Sequence, residues 1–110
     1  MFLSLDEITT IQLDHTSRCN LMCPQCARTH GSKNNDLLNP YMPKGEDLTL
    51  DDYKMILEPF DENKLTIYHC GNFGDALASP TFDETMDYCI EKNVKIFKIA
   101  TNASLRTPDW

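Results

Sequence analysis

Residues 9–28 read TTIQLDHTSRCNLMCPQCAR. The first six alternate, with Ile11 and Leu13 set between polar residues, which is the period of a strand with one buried face. Immediately afterwards Cys19, Cys23 and Cys26 fall within eight residues, spaced C-x3-C-x2-C. The strand predicts a sheet, and the thiol loop predicts something held at the strand's carboxyl end.

The pattern repeats outward from that stretch. Residues 29–47 contain Gly31, Asn34, Asn35, Pro40, Pro43 and Gly45 and show little periodicity, so they read as a long loop that covers or serves something. Residues 49–60 predict a helix. Thr49 can cap it, Asp51 and Asp52 suit its positive first turn, and Leu50, Tyr53, Ile56, Leu57 and Phe60 form one apolar stripe that Pro59 ends or bends. Residues 65–69 (LTIYH) predict a second strand, and the glycine-punctuated CGNFGDALASP follows. A second helix is expected from Ser79 and Pro80, with Thr81 and Glu84 as an alternative capping box. Phe82, Met86, Cys89 and Ile90 share its apolar face. Residues 94–100 (VKIFKIA) predict a third strand, followed by the loop TNASLRTPDW. Strands alternating with helices imply an α/β fold built on a parallel sheet with crossover helices.

Composition limits the function classes. The 110 residues allow one domain, and 41% hydrophobic with 25% charged residues is ordinary for a globular chain. A net charge of −7 disfavours nonspecific binding to nucleic acid or to anionic membrane. No apolar run reaches the roughly 18 residues of a membrane span, and the first ten residues do not read as a secretory signal. Five cysteines, an odd number, fit a reducing compartment better than a disulfide framework, so the expected location is cytoplasmic. Clustered thiols in such a compartment are metal ligands or redox groups. Cys70, at a strand end, and Cys89, on a helix face with Met86, read as buried small residues instead. His15 and Arg18 flank the thiol loop; Arg18 suits either a solvated role or the balancing of charge beside a cluster.

Three thiolates can hold three irons of a cubic 4Fe-4S cluster and leave the fourth iron open, whereas a fourth thiolate would close it, as in electron carriers. The open position follows the logic of catalytic zinc, which keeps one site free for substrate. Zinc itself remains an alternative, since Cys23 and Cys26 form a C-x2-C knuckle that His30, Cys70 or Cys19 could complete.

The spacing of Cys19, Cys23 and Cys26 after a first strand resembles the radical S-adenosylmethionine (SAM) enzymes. That resemblance implies a 4Fe-4S cluster on these three residues, SAM at the open iron, and reductive cleavage of SAM to a 5'-deoxyadenosyl radical that takes hydrogen from substrate. A second segment agrees in place. Gly71, Asn72, Gly74 and Asp75 follow the second strand where the family has a glycine-rich turn ending Gly-Glu-Pro, which receives the methionyl ammonium. Asp75 replaces the glutamate and Ala76 the proline. Gln25 stands where an aromatic residue usually lies against adenine; its amide could hydrogen-bond the base instead. Thr101 and Asn102 resemble the Thr-Asn-Gly after the third strand and are expected beside the SAM or substrate pocket, although polar residues also collect in any turn. In a parallel sheet all three loops share one edge, where such folds bind ligands.

The resemblance extends over nearly the whole chain but only over the first three strands of a partial (β/α)6 TIM-like barrel. It implies an electron donor such as flavodoxin or ferredoxin, and a substrate the sequence does not identify, a peptide being one candidate. It also implies that the 110-residue chain alone is an incomplete enzyme: a fragment, a truncated frame, or one half of a split enzyme with a complementary C-terminal half. The third strand fits that expectation, since only Lys95 and Lys98 discourage pairing at its edge. A non-catalytic iron-sulfur carrier and a zinc-stabilised binding module are the other function classes the residues allow.

Overall fold

The protein is described by a computed structural model in which residues 4–21, 23, 25–29 and 45–105 are placed. Most of the predicted loop, including His30, and the end of the closing segment lie outside the described residues. Strands β1 (Thr10–Leu13), β2 (Thr66–His69) and β3 (Lys95–Ile99) form one parallel sheet in the order β1-β2-β3. Helix α1 (Leu50–Leu57) lies between β1 and β2 in sequence, and α2 (Phe82–Glu91) between β2 and β3. The alternating α/β order with a parallel sheet is therefore as expected.

One face of the sheet packs on the helices. Leu13 and Ile67 from the strands meet Tyr53 and Leu57 of α1, Cys89 of α2, and the flanking Leu65 and Val94 in one core. A smaller cluster of Ala76, Leu77 and Phe82 lies against Met86, Ile99 and Leu105. The opposite face is polar, with Gln12 exposed and the Lys98 ammonium 5.6 Å from the Tyr68 ring centre.

Strand β3 contains an irregularity that its sequence hides. Ile96 and Ile99 are three residues apart, and in a regular strand they would face opposite sides. The pairing shifts after Ile67–Ile96, so that Tyr68 faces Lys98 and Phe97 becomes the extra residue of a bulge. Both isoleucines then reach the helix side, while Phe97 remains 71% exposed.

The two helix starts differ. Thr49 caps α1 as expected: its hydroxyl accepts from the Asp52 N–H at 3.2 Å, and the Asp52 carboxylate accepts from the Thr49 N–H at 2.8 Å. Helix α2 begins at Phe82, later than expected; the Thr81 hydroxyl does not cap it, while Ser79 Oγ accepts from the Thr81 N–H at 3.2 Å in the turn just before it. Thr81 donates to the Leu48 carbonyl at 2.8 Å, and Ser79 bonds His15 at 3.0 Å, so both are committed to the interior. The apolar face of α2 also differs from expectation. Ile90 is exposed, whereas Thr85 is fully buried with its hydroxyl donating to the Phe82 carbonyl at 2.8 Å. A threonine can occupy a core position once its only strong donor is satisfied by the preceding turn.

Candidate metal and cofactor site

The cysteine loop leaves the carboxyl end of β1 and is clamped at its base. Thr16 forms an antiparallel bridge with Asp47, the Ser17 N–H donates to the Glu46 carbonyl at 2.9 Å, and the Leu48 N–H donates to the His15 carbonyl at 2.8 Å. Arg18 Nε reaches the Asp47 carboxylate at 2.8 Å and its Nη2 the Gly45 carbonyl at 2.7 Å. Burial works against ionisation of Asp47, but hydrogen bonds from Thr16, Arg18 and Ser79 outweigh it and hold its carboxyl below the usual range. Arg18 is thus turned to the clamp.

Arg28, which the sequence reading did not single out, closes the loop from inside. It is buried, and its guanidinium donates to the Ser17 carbonyl and the Leu21 carbonyl, each at 3.1 Å. One side chain thereby fixes the start and the middle of the thiol loop. The Cys26 N–H donates to the Cys23 carbonyl at 3.0 Å, and Thr29 donates its N–H to the Cys26 carbonyl at 3.0 Å and its hydroxyl to the Cys23 carbonyl. These turns leave Cys23 exposed and Cys19 and Cys26 half-buried, all three as free thiols.

The glycine-rich turn after β2 docks directly onto this loop. The Asp75 N–H donates to the Arg18 carbonyl at 2.7 Å. A Cβ on Gly74 would lie 2.4 Å from the Thr16 carbonyl oxygen and 2.6 Å from that of Arg18. Glycine is required here because two backbones touch, a reason additional to the close ligand approach expected from the sequence.

Asp75 joins the second loop to the third. Its buried carboxylate accepts from the Leu77 N–H at 3.0 Å, the Thr101 hydroxyl at 2.8 and 3.0 Å, and the Asn102 N–H at 2.9 Å. Both carboxylate oxygens therefore already have protein donors. Asn102 in turn joins the third loop to the first: its side-chain amide donates to Asn20 Oδ1 at 2.9 Å and lies 3.7 Å from Cys19 Sγ.

A pocket of about 360 Å³ results, lined by Cys19, Cys23, Cys26, Gly71, Gly74, Asp75, Thr101 and Asn102 together with Leu21 and Ala100. Eight residues chosen from three separate segments of sequence thus share one concavity. Two others do not line it. Gln25 is exposed outside the lining, and Asn72 turns to Asp14, donating its N–H to Oδ1 at 3.0 Å. Cys70 and Cys89 are buried elsewhere, as expected; burial raises both thiol pKa values, that of Cys89 to about 11.

The three thiols that line this pocket are donors of the chemistry that holds iron or zinc. Among the described residues, no three His, Cys, Asp or Glu side chains are gathered closely enough to hold one metal ion.

Beneath the site lies a polar network that the apolar stripe concealed. Tyr53 Oη is 2.7 Å from His15 Nδ1 and 2.9 Å from His69 Nε2, while His15 Nε2 is 3.0 Å from Ser79 Oγ and 3.1 Å from Thr81 Oγ1. Among the described residues, His69 Nδ1 has no partner. Burial holds His15 and His69 down to about 4, with His15 adding to the effect on His69, and pushes the Tyr53 hydroxyl up. The network joins the segment after β1, α1, β2 and the segment before α2.

Comparison with protein families, curated proteins and solved structures finds no match for this chain. Among the described residues, no helix is long and apolar enough to cross a membrane.

Proposed function

We propose that the chain is the cluster- and SAM-binding part of a radical SAM enzyme, with Cys19, Cys23 and Cys26 as cluster ligands. The observation that supports this reading is the shared pocket: three thiols, a glycine turn and a Thr-Asn turn come from three strand ends to one concavity. The C-x3-C-x2-C spacing of the thiols favours a cluster over the zinc alternative. When bound, the cluster and SAM supply one electron and a carbon-centred radical able to take hydrogen from a substrate.

The chain's own residues prepare the site. Arg28 and the Asp47 clamp hold the thiol loop in shape before any ligand arrives, which lowers the ordering cost of binding. With both its oxygens occupied, Asp75 is a positioning residue that fixes the second loop against the third. Recognition of the methionyl ammonium then falls to backbone carbonyls at Gly71 and Gly74, where small residues permit close approach. Thr101 and Asn102 are held at the same rim by that carboxylate. The parallel sheet with helices on one face is compatible with three strands of a partial barrel. The partner proposed on this reading is an electron donor of the flavodoxin or ferredoxin kind.

The test is anaerobic reconstitution of the chain with iron and sulfide, followed by electron paramagnetic resonance of the reduced protein with and without SAM. A cluster signal that changes on SAM addition is expected. A cluster signal indifferent to SAM would leave an electron carrier and overturn the enzyme reading.

A further inference from the structure

We infer that Asn102 is a positioning residue for the electron chemistry of the site: its amide donates to Cys19 Sγ and raises the reduction potential of the cluster proposed there. The inference rests on the cluster reading above. It moves Asn102 from the role of a SAM contact to that of a partner of a ligand sulfur.

The amide's orientation is fixed by its neighbours. Asn102 Oδ1 accepts from the Ser104 N–H at 3.0 Å and from the Ser104 hydroxyl at 2.6 Å. The oxygen must therefore face Ser104, which leaves Nδ2 facing the first loop. Nδ2 carries two hydrogens, and two acceptors stand before it: Asn20 Oδ1 at 2.9 Å and Cys19 Sγ at 3.7 Å. Asn20 is oriented in its turn, because its own Nδ2 donates to Ser104 Oγ at 2.8 Å. Asn20, Ser104 and Asn102 thus form a closed ring in which each donor has an acceptor. The backbone N–H of Asn102 is anchored on Asp75. Among the described residues, the second acceptor within reach of that amide is the sulfur.

A hydrogen bond to a ligand sulfur stabilises the more negative, reduced state, and such bonds are among the factors that set cluster potentials. Removing the donor therefore lowers the midpoint potential without removing a ligand.

The experiment is an anaerobic redox titration of the reconstituted chain, followed by electron paramagnetic resonance, with iron counted in each sample. Asn102→Ala should keep its iron and shift the midpoint to more negative values. A tenfold change in the reduction equilibrium corresponds to about 59 mV for one electron, and the shift should approach that size. Asn102→Asp, which keeps the oxygen facing Ser104 but presents no N–H to the sulfur, should shift in the same direction by at least as much. Ser104→Ala, which touches no sulfur, should produce a smaller negative shift by loosening the ring. Iron-loaded Asn102→Ala and Asn102→Asp with the parent midpoint would overturn this inference and leave the cluster reading standing. Loss of iron in both would equally refute it, since Asn102 would then act on assembly. A parent chain that takes up no iron would overturn both readings.

Discussion

Gly74→Ala puts one methyl group between two loops. The new Cβ would sit 2.4 Å from the Thr16 carbonyl oxygen, 2.6 Å from the Arg18 carbonyl oxygen and 2.9 Å from the Arg18 nitrogen, all backbone atoms. No rotamer change relieves such contacts. Return to an ordinary 3.4 Å separation needs roughly 1 Å of retreat by the second loop. That retreat stretches the bond from the Asp75 N–H to the Arg18 carbonyl from 2.7 Å to a length at which it no longer counts, about 3.7 Å. It also draws the Asp75 carboxylate away from Thr101 and Asn102. Overpacking of this kind costs about 1–3 kcal/mol, and a lost hydrogen bond about 1 kcal/mol more. A destabilisation of about 2–4 kcal/mol is expected, a large share of the roughly 5–16 kcal/mol available to a 110-residue chain. The assay is equilibrium urea unfolding, where a slope of about 1–3 kcal/mol per molar makes this a midpoint change on the order of 1–2 M. Gly71→Ala is the internal control, because its Cβ meets nothing closer than 3.3 Å and its cost should stay below about 1 kcal/mol. Equal midpoints for the two variants would refute the argument that backbone contact, rather than glycine content, fixes this turn.

Other consequences follow from the same structure. Tyr53→Phe removes the hydroxyl between His15 and His69 and leaves His69 with neither nitrogen bonded among the described residues. It should destabilise the fold by about 2–4 kcal/mol in the same unfolding assay, while a change under about 0.5 kcal/mol would count against the network. Burial keeps both histidines neutral down to about pH 4, whereas the unfolded chain protonates them near 6.5. Stability is therefore full above about pH 6.5 and falls toward pH 4, by up to ~1.4 kcal/mol per unit for each histidine. Urea midpoints measured from pH 7.5 to 4 should trace that decline; a flat profile would contradict it. Asp75→Ala should preserve the thiol loop but release Thr101 and Asn102, weakening the SAM-induced change in the cluster signal with little loss of iron; an undiminished response would remove Asp75 from the site.

Local period made most of the fold legible. Alternation in β1 and β2, and the stripe on α1 with its Thr49 cap, depend on residues whose burial is set within a turn or two. What the sequence hid was decided by distant partners. Thr81 looks like a cap until the Leu48 carbonyl, more than thirty residues earlier, claims its hydroxyl, and Ser79 Oγ serves His15 as well as the Thr81 N–H. Ile96 and Ile99 share a face only because a bulge expels Phe97. At the site, the motif residues converge because parallel strands bring their loops to one edge, which the strand order implies. Arg28, Asn20 and Ser104 escaped notice because their work is done on carbonyls and amides of other loops, and no spacing rule marks such contacts. His15, Tyr53 and His69 could have been suspected, since three polar aromatic side chains lie on the inward side of otherwise apolar elements.

The most direct test is a count of iron and acid-labile sulfide per chain after anaerobic reconstitution, for the parent and for five single cysteine variants. About four irons and four sulfides are predicted in the parent, in Cys70→Ala and in Cys89→Ala, with marked loss in Cys19→Ala, Cys23→Ala and Cys26→Ala. Full loading in any of those last three, or one tightly held zinc ion in place of a cluster, would contradict the assignment.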